Sequence, residues 1–142
     1  MESVSLSRKI RALSLEMVHR AKASHIGSAL SITDIVAVLY GRVMNLDSSE
    51  PTMASRDRFI LSKGHACVAV YAALAETGFI SHDRLKTYGE DGSWLMNHIS
   101  HKVDGVEFST GALGHGLSFG VGKALSARMS QEKWRTFVIL SD

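Results

Sequence analysis

The sequence predicts an α/β fold in which a parallel sheet is covered by helices. Two short apolar runs, Arg58-Phe-Ile-Leu-Ser62 and Trp134-Arg-Thr-Phe-Val-Ile-Leu-Ser141, have the length of strands, and helical patterns precede and separate them. The later run shows no polar alternation, as expected for a strand buried on both faces. With 142 residues, 45% of them hydrophobic, and one proline, the composition suits one globular domain. A two-stranded sheet is marginal alone, so the sequence implies a remainder of the domain that these residues do not supply.

The elements follow in order. Leu6, Ile10, Leu13 and Met17, extended by Val18 and Ala21, form an apolar stripe that predicts an amphipathic helix from about Ser5 to Ala23. Ser31-Ile-Thr-Asp34 has the spacing of a capping box and predicts a largely buried helix over Ile35–Met44. Asn45–Arg56 reads as a surface connection, the first strand follows, and Lys63-Gly64-His65 turns the chain. Ala66–Thr77 is a helix closed by Gly78, and Ser81 caps a short helix through Tyr88. Gly89–Thr110 has little periodicity and reads as a long loop, either functional or disordered, with Trp94 in favour of order. A glycine-rich segment then leads into a helix that ends near Met129.

Charge excludes one class of partner. Sixteen Lys and Arg against fourteen Asp and Glu leave +2, and the basic residues are scattered, so no nucleic-acid footprint is present. No apolar run reaches the ~20 residues of a membrane span, and the expectation is a cytoplasmic protein. The single cysteine, Cys67, lies in the run Ala66-Cys-Val-Ala-Val70 and is expected to be a small buried side chain.

Gly105–Gly122 holds six glycines around His115, which points to a binding loop whose backbone approaches a phosphate or a flat ring. Of seven histidines, His19 and His82 read as surface residues, whereas His25, His65, His98 and His115 stand beside glycines or in irregular segments. His98-Ile-Ser-His101 has a spacing compatible with metal, but no cysteine pair or His-Glu helical motif accompanies it. A nucleophile elbow at serine and a Walker-type phosphate loop are both absent, and Gly114, Gly116 and Gly120 approach a dinucleotide fingerprint without a preceding strand. What remains is a site where neutral histidines act beside an acidic, polyoxygenated ligand. Asp142, after the second strand, is either a frayed chain end or a carboxylate at the carboxyl end of a parallel strand, where ligands of open α/β sheets bind.

Taken in order, Lys22-Ala-Ser-His25-Ile-Gly27, Asp57-Arg-Phe-Ile-Leu-Ser-Lys-Gly64-His65, Asn97-His98, Gly105-Val-Glu-Phe-Ser-Thr-Gly-Ala-Leu-Gly-His-Gly116 and Leu140-Ser-Asp142 resemble the thiamine-diphosphate domain of transketolases. The resemblance covers nearly the whole chain and is greatest to transketolases whose pyrophosphate-binding half is a separate N-terminal subunit. It implies a thiamine-diphosphate-binding fold, incomplete in this chain, with residues 1–142 as the front part of that domain. It also implies transfer of a two-carbon ketol unit between sugar phosphates, with thiamine diphosphate and magnesium or calcium as cofactors.

The resemblance assigns roles residue by residue. His65 would hold the diphosphate near the reactive ring, and His25 and His98 would contact sugar hydroxyls and the donor carbonyl. Gly111, Ala112 and Leu113 would approach the cofactor, and Asp142 would bind the metal. Three departures stand out: Asn97-His98-Ile99 replaces Gly-His-Pro, leaving His101 as a possible substitute; Ser141 replaces a glycine; and His115 stands where glutamine is common. Because the sequence stops at Asp142, the resemblance implies an oligomer in which a C-terminal subunit or domain completes the site, and no turnover by this chain alone. A related thiamine enzyme acting on another sugar or a ketoacid, and a noncatalytic scaffold or regulatory remnant, are the alternatives.

Overall fold

A computed structural model describes residues 2–141. Helix α1 (Ser3–Ala21) buries Leu6, Ile10, Met17 and Val18 on the predicted stripe. It ends at Lys22, whose φ of 49° is left-handed. A short helix that the sequence did not signal, α2 (Ile26–Leu30), follows, and its N-cap is His25 at φ 70°. Helix α3 (Thr33–Val38) then passes into a π-helical turn, Leu39–Val43.

The capping box expected at Ser31 does not form. The hydroxyl of Ser31 donates to the carbonyl oxygen of Ser28 at 2.8 Å, and Ile32 occupies the N-cap position. The Asp34 carboxylate instead accepts from Ser7 at 2.5 Å and from Arg11 at 2.7 Å, both on α1. Those bonds hold Asp34 down to about 2, the Arg11 bond first and the Ser7 bond next. Nor is the segment largely buried: Val36, Ala37, Tyr40 and Met44 enter the core, while Ile35 is 52% exposed and Val38 42%.

Strand β1 (Arg58–Leu61) pairs in parallel with β2 (Thr136–Ile139), Arg58 opposite Thr136 and Leu61 opposite Ile139. These are the two strands found among the described residues. Asp57, 2% exposed, fixes the start of the pair by accepting from the backbone N–H of Asn45 at 2.8 Å and of Arg135 at 2.7 Å. Phe59, Leu61 and Ile139 join the core built by α1, α3 and α4 (Cys67–Glu76). Helix α4 is buried from Cys67 through Ala75, and burial pushes the Cys67 thiol up to about 12, as suits an inert core residue.

A four-residue helix, α5 (His82–Leu85), opens the long loop, which has no regular element until α6 (His115–Met129). Helix α6 covers the other face of the sheet, so α6 and the α1–α4 layer enclose the strands. Its start corrects the expectation that Gly105–Gly122 is all loop. Gly116 and Gly120 lie in the helix and are buried against the sheet. A β-carbon at Gly116 would stand 2.8 Å from Ser62 Cβ, and one at Gly120 would stand 2.5 Å from Val138 Cγ2. These two glycines serve helix–strand packing rather than a ligand. No helix among the described residues is long and apolar enough to cross a membrane.

Candidate functional site

The carboxyl end of β1 gathers the candidate residues. After Leu61 come Ser62, Lys63 and a single 3-10 turn, Gly64–Ala66, which carries His65. Ser62 Oγ accepts from the backbone N–H of Gly116 at 3.1 Å, tying the start of α6 to the strand end. The carbonyl oxygen of Gly64 accepts from Ile99 N–H at 3.0 Å, and Thr110 donates its hydroxyl to the Leu61 carbonyl. Gly64 must be glycine here, since a β-carbon would meet Thr110 Oγ1 at 2.6 Å and its carbonyl oxygen more closely still.

These ties bring three of the four singled-out histidines together. Ring centroids lie 5.0 Å apart for His25 and His65, 6.3 Å for His25 and His98, and 6.4 Å for His65 and His98. His65 is half-buried, whereas His25 and His98 are exposed. Burial, then the neighbouring His25, Lys63 and His98, lowers His65 below its ordinary 6.5, so its imidazole is neutral at physiological pH. Ser28 Oγ lies 2.8 Å from His65 Nε2 and fixes the ring. His115 is elsewhere, its ring edge 5.4 Å from Phe108 between centroids.

His98 joins the cluster, and His101 turns to Ser109, with Nδ1 2.7 Å from Oγ. Among the described residues no group of three His, Cys, Asp or Glu side chains is arranged to hold an ion. Asp142, the proposed metal ligand, lies outside the described residues. His19 and His82 are exposed, as the sequence implied, and His82 pairs with Glu76 at 2.9 Å.

Gly111, Ala112 and Leu113 leave Thr110 as an exposed arc, and their backbone N–H groups have no hydrogen-bond partner among the described residues. A β-carbon at Gly111 would meet nothing within 4 Å, so open space faces this residue. Backbone donors left free on an exposed arc fit an anionic ligand such as thiamine diphosphate.

Several members of the site were not singled out from sequence. Ser28 and Ser31 come from α2 and its end, and Lys63 is 5% exposed, donating to Ser31 Oγ at 3.3 Å. No carboxylate among the described residues lies within 4.0 Å of its ammonium. From α4, Cys67 and Tyr71 hydrogen-bond the carbonyl oxygens of Met96 and His98, at 3.4 Å and 3.2 Å, and place the His98 segment. The only cue in the sequence was the apolar run containing them, which hid these polar functions.

A parallel strand pair between helical layers, with imidazoles and free backbone donors at its carboxyl end, defines a ligand-binding α/β domain. Residues 3–138 match the family model described as transketolase, thiamine diphosphate binding domain, and the chain belongs to that family. It is 44% identical over 136 residues to a subunit of the apulose-4-phosphate transketolase from Phocaeicola vulgatus, covering 96% of this chain and 48% of that protein. It is 38% identical over 134 residues to a 6-deoxy-6-sulfo-D-fructose transketolase subunit from Clostridium, covering 94% of this chain and 49% of that one. The solved transketolase from Leishmania mexicana superposes with a TM-score of 0.91 at 32% identity, over all of this chain and 23% of that one. The chain thus spans about half the length of these two relatives.

Proposed function

We propose that this chain is the front part of a pyrophosphate-binding unit in a transketolase-type enzyme, transferring a two-carbon ketol group between sugar phosphates in the cytoplasm. The observations that carry this reading are the cluster of His25, His65 and His98 after β1 and the free backbone donors of Gly111–Leu113, which follow Thr110, itself bonded to the strand end at Leu61. Thiamine diphosphate, when bound, would supply the electron sink for carbon–carbon cleavage.

The chain's own residues would place and protonate. His65, neutral and held by Ser28, would hold the diphosphate and lie near the reacting ring. His25 and His98, exposed on the same cluster, would hydrogen-bond sugar hydroxyls and the donor carbonyl, and move protons there. Gly111 and Ala112 would approach the cofactor through backbone, and Leu113, 53% exposed, would lend its side chain. Asp142 would bind magnesium through its carboxylate.

A partner subunit or domain would complete the site. Leu117, Val121, Leu125 and Met129 recur every four residues on α6 and are 46%, 51%, 51% and 84% exposed. Such an exposed apolar stripe supports association. The relatives include proteins named as subunits, which supports a chain that works with another. On this reading the chain alone does not turn over substrate.

Calorimetric titration with thiamine diphosphate and magnesium, with and without a C-terminal transketolase subunit, tests the proposal, followed by a coupled ketol-transfer assay. Binding together with transfer only in the presence of the partner is expected. No binding under either condition favours a noncatalytic remnant, and transfer by the chain alone overturns the need for a partner.

A further inference from the structure

We propose that His101 is a positioning residue that, through Ser109, sets the Gly111–Leu113 backbone for its ligand; this rests on the thiamine-diphosphate reading above. The loop between His98 and Thr110 is fastened at both ends to the turn after β1. At one end Ile99 N–H donates to the Gly64 carbonyl at 3.0 Å, and at the other Thr110 donates to the Leu61 carbonyl. Between these anchors Ser109 Oγ accepts from the backbone N–H of His101 at 2.8 Å and meets His101 Nδ1 at 2.7 Å. One hydroxyl is therefore engaged twice by one residue, closing the loop on itself.

The position of this clasp gives it leverage. Gly111, Ala112 and Leu113 make no backbone N–H hydrogen bond among the described residues, so their placement depends on what flanks them. On the far side stands α6, held at Gly116 by Ser62. On the near side stands the Ser109–Thr110 pair. His101 is exposed and packs no core, so stability alone gives no reason to hold its ring. Holding Ser109 restricts the backbone two residues before a glycine that has no side chain to restrain it.

The test compares the wild-type chain with His101→Ala, Ser109→Ala and His101→Asn, whose amide oxygen can stand where Nδ1 stood. Backbone 15N order parameters at Gly111–Leu113, measured without any ligand, are expected to fall from about 0.85 toward 0.6 in both alanine variants and to recover in His101→Asn. Thiamine diphosphate with magnesium is expected to bind the alanine variants about 3- to 10-fold more weakly, while His101→Asn stays near wild type and all melting temperatures stay close. Unchanged order in His101→Ala overturns the inference, as does equal weakening by Ala and Asn. If wild type binds no thiamine diphosphate even with a partner subunit, the functional reading fails, and the order parameters still decide whether the clasp orders the loop.

Discussion

Ser28 Oγ and His65 Nε2 stand 2.8 Å apart, joining the short helix that the sequence did not signal to the turn after β1. Through this bond the half-buried imidazole of His65 keeps a fixed orientation beside His25 and His98. Ser28→Ala is expected to free the ring and cost about 1 kcal/mol. Imidazole 15N shifts of His65 should move toward a mixture of tautomers, and unchanged shifts would contradict the assignment.

The neutrality of His65 makes stability depend on pH. Burial first, then His25, Lys63 and His98, lowers its folded value below 6.5, so the unfolded chain takes up this proton first as pH falls. Stability from this group is therefore complete above 6.5 and is lost progressively down to the folded value. Urea unfolding at about pH 7 and about pH 5.5 should show a smaller loss in His65→Gln than in wild type. An NMR titration midpoint for His65 at or above 6.5 would refute the sign.

His25 adopts a φ of 70°, a conformation costly for a residue with a β-carbon. His25→Gly should therefore be more stable than His25→Ala by about 1 kcal/mol. If the proposed function holds, both variants should lose ketol transfer measured with a C-terminal transketolase subunit present. Equal melting temperatures would show that the backbone relaxes at this position.

Two glycines should separate packing from binding. Gly120→Ala pushes a methyl to 2.5 Å from Val138 Cγ2 and is expected to destabilise by about 1–3 kcal/mol. Gly111→Ala meets nothing within 4 Å and should leave the melting temperature almost unchanged while weakening thiamine diphosphate binding. Full binding by Gly111→Ala would remove this arc from the site.

Asp57 is 2% exposed and joins the starts of both strands, with Arg135 Nη2 2.7 Å from its carboxylate. Burial opposes its charged form, and the bonds from Arg135 and Asn45 outweigh that, holding the carboxyl below the usual range. Asp57→Asn should cost about 2 kcal/mol in denaturant unfolding. Wild type should lose this advantage as pH falls through the depressed value, and the variant should not.

Much of the site was legible in the sequence because glycine and histidine at chain turns leave few bland explanations. His25, His65 and His98 stood out through their irregular settings, and the structure brings them within 6.4 Å of one another. The capping box was misread because Asp34 found stronger partners in Arg11 and Ser7, which are near in space and distant in sequence. The glycine segment was read as a single loop because helical glycines look like loop glycines until a strand is seen pressed against them.

The sequence by itself determined the helical stripe of α1, the apolar core of α4, the two strands and the order of family motifs, all of which rest on local pattern. Only the tertiary structure decided that Gly116 and Gly120 pack on β1 and β2, that His98 enters the cluster, and that His101 closes on Ser109. Those outcomes depend on distances between segments far apart in the chain, which periodicity does not encode.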